Sequence, residues 1–138
     1  MRILILIFIF FIYSCEKNDI PQFDGKHSYD FLLKQCEFGP RNPGSIGHQQ
    51  FSKYLEEFLS GIDNEIIVQN FNYKEHITSK TQNGKNFIIQ FNKESRERLL
   101  IGAHWDTRSI SDEETELDKR ELPVLGANDG ASGTAVLM

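Results

Sequence analysis

The hydrophobic pattern changes period several times along this chain, and each change predicts a different element. Residues 3–12 are apolar without interruption and follow a single positive charge at Arg2. Residues 16–27 are polar, with Pro21 and Gly25, and predict a tether. Ser28 is placed to cap a helix that carries Phe31, Leu32 and Leu33 and ends near Gly39. "FGPRNPGS" follows as a rigid turn, because Pro40 and Pro43 each fix φ and remove a donor. Ser45 can cap the next helix, where Phe51, Tyr54, Leu55, Phe58, Leu59 and Ile62 recur at helical spacing and build one wide apolar face.

Beyond Ile62 the period shortens. Residues 65–73 mix β-branched and aromatic side chains and predict a strand. Asn83-Gly84 is the commonest tight-hairpin pair, with a second strand predicted over residues 86–91. "LLIGAH", residues 99–104, is apolar on both faces, so a third strand is expected there, central in a sheet and covered by helices. Residues 111–122 predict an acidic surface loop. Thr134, Ala135, Val136, Leu137 and Met138 start an apolar helix, and the pattern stops there without a polar turn or cap. The chain is therefore expected to be a fragment of a longer protein.

Composition narrows the function classes. With 20 acidic and 15 basic residues among 138, the net charge is -5, and no basic cluster exists for counterion-release binding to nucleic acid. The apolar run at residues 3–12 is shorter than the roughly 20 residues of a membrane span and fits the about 7–15 of a signal-peptide core. It ends in "IYSC", which resembles the bacterial lipobox, although an ordinary signal with a chance cysteine reads the same way. The resemblance implies a signal peptide over residues 1–14, cleavage after Ser14, lipid on Cys15 and a tether up to residue 27. The expected location is the periplasmic or outer-membrane face of a bacterial cell membrane, held by the lipid anchor only. Cys36 is then left without a disulfide partner and predicts a small, half-buried helix residue.

Two stretches carry the chemistry. In "LLIGAHWDTR", strand alternation puts His104 and Asp106 on one side and Trp105 on the other. A carboxylate beside an imidazole fixes the tautomer and improves the free nitrogen as a ligand. The same pair also suits a general base with its orienting acid, or a plain strand-end contact. In "GANDGASG", glycines at 126, 130 and 133 allow close approach to a bound group. Asp129 there reads equally as a helix cap or as a hard oxygen ligand. A phosphate loop is excluded by the glycine spacing and the missing Lys-Ser or Lys-Thr. The acidic loop lacks the glycine of an EF-hand, which removes calcium.

Together, "GAHWDTR" and "LPVLGANDGASG" resemble the zinc-dependent exopeptidase superfamily of co-catalytic aminopeptidases and glutaminyl cyclases. The wording is most similar to the bacterial lipoprotein glutaminyl cyclases, and "FGPRNPGS" fits that group too. The resemblance covers residues 28–138 and implies the N-terminal part of an α/β domain, a three-layer α/β/α sandwich with a mixed, mostly parallel sheet. It implies Asp129 as the central zinc ligand. His104 would bind a second zinc only in a two-zinc enzyme, and Asp106 joins the catalytic set as the aspartate that holds His104. Asn128 departs from the acidic residue often found there in two-zinc aminopeptidases. One zinc ion is implied for a cyclase and two for an aminopeptidase. The partners implied are peptide or protein N-termini, and the protein is expected to be a monomer.

The expected reaction is conversion of N-terminal glutamine to pyroglutamate with release of ammonia. The alternatives are hydrolysis of N-terminal residues by a metallo-aminopeptidase and a non-catalytic, lipid-anchored binding domain. The superfamily's glutamate pair, further acidic residue and distal histidine would follow Met138, so these 138 residues alone are expected to be inactive. His27, His48 and His76 match nothing in the motif and are expected at the surface.

Overall fold

A computed structural model describes residues 20–62, 65–76 and 79–138. The expected leader and the expected lipidation site, Cys15, lie outside the described residues. Helix α1 spans Gly25–Glu37 and helix α2 spans Ile46–Ile62. The cap of α1 is Asp24, whose side chain accepts from the His27 N–H at 2.9 Å, and not the expected Ser28. Ser28 sits inside the helix, where its hydroxyl donates to the Ala135 carbonyl at 2.8 Å. Gln35 acts alike, its amide donating to the Ala131 carbonyl at 2.9 Å. One polar row of α1 thus stitches it to the last residues of the chain.

Ser45 caps α2 as its sequence position suggests, its Oγ accepting from the His48 N–H at 3.0 Å. The apolar face of α2 contributes to the core: Phe51 and Leu55 are buried, as are Ala131 and Ala135. The Phe51 ring meets Phe38, Tyr54 and Trp105 at centroid separations of 5.5, 5.9 and 6.1 Å, within the range aromatic pairs favour. Cys36 is free and half-buried on α1, as expected.

Strands β1 (Ile67–Lys74) and β2 (Thr81–Ile88) pair antiparallel, with Ile67 opposite Ile88 and Lys74 opposite Thr81. Their turn is closed by the Glu75 N–H donating to the Lys80 carbonyl at 2.9 Å. Asn83-Gly84 is therefore a mid-strand pair and not the hairpin turn. Packing explains the shift: Gly84 lies opposite Phe71, whose Cζ would stand 2.3 Å from a Cβ at that position. The missing side chain makes room for a ring from the partner strand.

Residues 99–103 join no strand among the described residues, and Leu99, Leu100 and Ile101 are 86%, 90% and 64% exposed. The expected central strand does not form here. A strand needs a neighbour's donors and acceptors, and no described segment pairs with this one. The chain keeps the expected α/β class, but its sheet over these residues is the antiparallel pair alone.

The acidic loop is exposed and holds one tight turn at Leu117–Lys119. A kinked turn, Ala127–Ser132, leads into the short helix α3, Gly133–Leu137. Among the described residues no helix is long and apolar enough to cross a membrane.

Candidate metal centre

Residues 104–107 form a partition with two different faces. Trp105 turns inward, stacking on His48 at 4.4 Å and meeting Phe87 at 6.1 Å, while its Nε1–H donates to the Lys85 carbonyl at 3.0 Å. Its neighbours His104 and Asp106 come together on the other side, as strand alternation predicts. Backbone ties hold the partition in place. The Arg41 N–H donates to Thr107 Oγ1 at 2.9 Å, the Thr107 N–H donates to the Arg41 carbonyl at 3.3 Å, and Thr134 Oγ1 donates to the His104 carbonyl at 2.9 Å.

Across the cleft, His104 Nε2 lies 2.9 Å from Asp129 Oδ1. The Nδ1 side faces the Asp106 backbone carbonyl at 3.0 Å, with the Asp106 carboxylate at 3.4 Å. Asp106 therefore orients His104 mainly through its carbonyl and only secondarily through its side chain. Both partners are acceptors, so the two contacts are satisfied together by the imidazolium, which donates from Nδ1 to the carbonyl and from Nε2 to Asp129. Burial works to lower the His104 proton affinity. The hydrogen bonds to the Asp106 carbonyl and the Asp129 carboxylate, with both charges, outweigh it and hold the pKa above the ordinary value.

Gly130 lets the two sides meet. Its φ is +99°, and a Cβ there would stand 2.9 Å from His104 Cε1 and 3.0 Å from the Asp106 carbonyl oxygen. The backbone breaks from helical geometry at Asp129 and Gly130, which turns the Asp129 side chain toward the cleft before α3 begins.

His104 and Asp129 are the right donor types for zinc, and two ligands at zinc–ligand lengths stand about 3.3 Å apart in tetrahedral geometry. Their 2.9 Å separation is that of a direct hydrogen bond and is shorter than that span. A zinc site takes about three or four protein ligands. No group of three or more His, Cys, Asp or Glu able to hold a metal occurs among the described residues. The residues present thus fit part of a metal site.

The cleft has a volume of about 250 Å³ and is walled beyond the pair by Pro43, Tyr73, Glu75, His76, Arg108 and Ser109. Ser109 Oγ donates to Glu75 there. A larger hollow of about 350 Å³, lined by His48, Asn70, Gln82 and Lys85, lies on the tryptophan side, and among the described residues no carboxylate lines it.

Sequence reasoning missed several of these residues. His48 is not at the surface: it is half-buried against Trp105, and burial pulls its pKa below the ordinary value, against the opposing pull of Asp106. His76 is exposed as expected, yet it lines the cleft. Neither has a local signal, because the hairpin and α2 reach the site only through tertiary packing. Arg41 was legible only as part of the Pro-flanked turn, but it is fully buried and hydrogen-bonded to both sides of the site.

An α/β scaffold thus presents a histidine–aspartate pair at a kinked loop, two donors of the kind a metal site uses. Residues 86–138 match Peptidase family M28. Over 86% of its length the chain is similar to a glutaminyl cyclase from Bacteroides thetaiotaomicron, at 33% identity and TM-score 0.80, covering 40% of that chain. A leucine aminopeptidase precursor from the same organism is similar over 86% of this chain and 41% of its own, at 33% identity and TM-score 0.81. A Zn-dependent exopeptidase from Parabacteroides distasonis is similar over 86% and 40%, at 30% identity and TM-score 0.80. No curated protein sequence matches. The chain is thus similar to glutaminyl cyclases and zinc-dependent exopeptidases, the group its two motif blocks resemble, and zinc is the metal these relatives support. It spans about 40% of the length of these solved relatives.

Proposed function

We propose that the protein carrying this chain is a zinc-dependent glutaminyl cyclase, converting the N-terminal glutamine of peptides to pyroglutamate with release of ammonia. The observation that carries the reading is the Asp129 carboxylate, held 2.9 Å from His104 Nε2 at the cleft. Several of the solved relatives are glutaminyl cyclases, and Asn128 stands where two-zinc aminopeptidases often have an acid.

When bound, zinc supplies Lewis-acid polarisation of the substrate's γ-carboxamide. Asp129 is the ligand this chain contributes. In the one-zinc form His104 binds no metal. It hydrogen-bonds the Asp129 carboxylate and fixes its direction, while the Asp106 carbonyl fixes His104. Behind the pair, the Trp105 ring packs against His48 and Phe51 and fixes the segment that carries His104. On this reading the general acid/base glutamate and the other ligands come from residues other than 1–138, and residues 1–138 assayed alone should show no turnover. Export and a lipid anchor on Cys15 complete the reading. A Cys15→Ser variant should lose membrane attachment in cell fractionation, and unchanged attachment would remove the anchor.

The second reading is an aminopeptidase, favoured by the likeness to the leucine aminopeptidase precursor and by His104 as a donor for a second zinc. The deciding experiment gives the whole protein a glutaminyl peptide and an amino-acyl substrate, and measures bound zinc. Ammonia release with one zinc per chain supports the cyclase. Amino-acyl hydrolysis with two zincs, the second lost in His104→Ala, replaces it with the aminopeptidase. No turnover and no stoichiometric zinc leaves the binding domain. Asp129→Ala should abolish both activity and zinc uptake, and zinc retained at wild-type level in that variant would refute the ligand assignment.

A further inference from the structure

Arg41 is the least expected residue in the interior. It is fully buried, yet each of its side-chain hydrogen bonds goes to a backbone carbonyl and none to an acid. Nη1 donates to the Gln35 carbonyl at 3.1 Å and to the Gly39 carbonyl at 3.4 Å, at the end of α1. Nε donates to the Trp105 carbonyl at 3.1 Å, between His104 and Asp106. Nη2 donates to the Gly126 carbonyl at 3.1 Å, at the start of the loop that carries Asp129. The Phe51 ring lies 5.5 Å from the guanidinium carbon and covers it from the core side.

A guanidinium is planar and its donors point in fixed directions. Carbonyls bonded to different edges of one such plane cannot drift relative to each other without breaking a bond. Here two of those carbonyls, Trp105 and Gly126, belong to the two segments that must meet for His104 to reach Asp129, and the other two, Gln35 and Gly39, tie the plane to the end of α1. Pro40 and Pro43 flank the arginine, and its own backbone is clasped to Thr107, so the plane has a fixed anchor. Burying a cation is costly unless its donors are satisfied, so a site that keeps one has a geometry that satisfies them.

We infer that Arg41 is a positioning residue that sets the span between the His104–Thr107 segment and the Gly126–Asp129 loop, and so brings His104 and Asp129 together. It touches neither reacting group and acts through the backbone. Lysine cannot replace it, because a single ammonium on a flexible stem cannot hold carbonyls on several edges in one plane. The inference draws on the proposed function only for what the pair serves.

The test reads geometry and needs neither zinc nor turnover, so failure of the cyclase reading and failure of this one are distinguishable. In the labelled, zinc-free protein, NMR should show slowly exchanging Arg41 Nη protons and a cross-peak between His104 Hε1 and Gly130 Hα. Arg41→Lys should lose that cross-peak while the helical circular dichroism and the His48–Trp105 ring contact persist. In Arg41→Ala, added methylguanidinium should restore the cross-peak and methylammonium should not. A full-strength cross-peak in folded Arg41→Lys overturns the inference. So does rescue by methylammonium as effective as by methylguanidinium. Should neither variant fold, the wild-type exchange decides: Arg41 Nη protons exchanging as fast as those of the exposed Arg96 overturn it.

Discussion

The two faces of residues 104–107 are built on opposite principles. On one, Trp105 is enclosed by His48, Phe51 and Phe87, with its one polar atom bonded to the Lys85 carbonyl. On the other, His104 and Asp129 retain side chains 54% and 72% exposed and meet across an open cleft. Apolar packing supplies the stability on the first face, and the second uses that rigidity to hold polar groups that stabilise little by themselves. Substitutions should therefore separate the faces: truncation behind Trp105 costs stability, and change in the cleft costs geometry.

The largest effect is expected at Phe51, which is fully buried. Phe51→Ala should lower unfolding free energy by about 3–5 kcal/mol, by lost apolar contact and the cavity left behind. Denaturant unfolding measures it, and a loss below about 1 kcal/mol would mean that this cluster is not the support of the partition.

Gly130→Ala should do less to stability and more to the site. A β-carbon at φ +99° pressed against His104 costs about 1–3 kcal/mol of backbone strain and contact. It should also part His104 from Asp129, which loss of a cross-peak between His104 Hε1 and the Asp129 Hβ protons would report in a protein that still folds. An unchanged cross-peak would show that the close approach is dispensable.

A smaller effect distinguishes the histidines on the two faces. His48 is pulled below the ordinary value near 6.5, chiefly by burial, with Lys85 adding to it and Asp106 opposing. A depressed folded pKa gives stability that is present above pH 6.5 and lost as pH falls through the folded value. In the metal-free protein His104 runs the other way: its raised folded pKa gives stability that is present below pH 6.5 and lost as pH rises through the folded value. Proton NMR of the imidazole Hε1 signals should show His104 titrating above His48. Coincident curves would mean that the two faces are electrostatically alike.

Legibility in the sequence follows the same division. The apolar face of α2 was readable because each of its residues reports burial through helical spacing, and Phe51 and Leu55 are in the core. The side-by-side placement of His104 and Asp106 was readable because alternation is a local rule. Asp129 was readable from its glycine-rich setting as a cap or an oxygen ligand, and motif wording alone chose between them, since its contact with His104 depends on a kink that no periodicity encodes. Arg41, His48 and His76 were not readable as site residues. Their roles come from tertiary contacts between distant segments, and a charged residue in a Pro-rich turn reads first as solvent-facing. Asn83-Gly84 misled for a related reason: the hairpin signal is local, while the register was decided by Phe71 needing space across the strand.

The smallest effect should come from the residues with the strongest apolar signal. Leu100 lies four positions before His104, in the run predicted to be a buried strand, yet it is 90% exposed over the described residues. Its contribution to the stability of these residues is set by burial and not by its hydropathy, because area that stays in water releases no transfer free energy. Leu100→Ser in the 138-residue chain should therefore change unfolding free energy by no more than about 0.5 kcal/mol. The same substitution should reduce self-association seen by sedimentation, since an exposed apolar run is an association surface. A loss of several kcal/mol would show instead that Leu100 is covered in the isolated chain, and the partition between a packed tryptophan face and an unpaired approach to it would have to be redrawn.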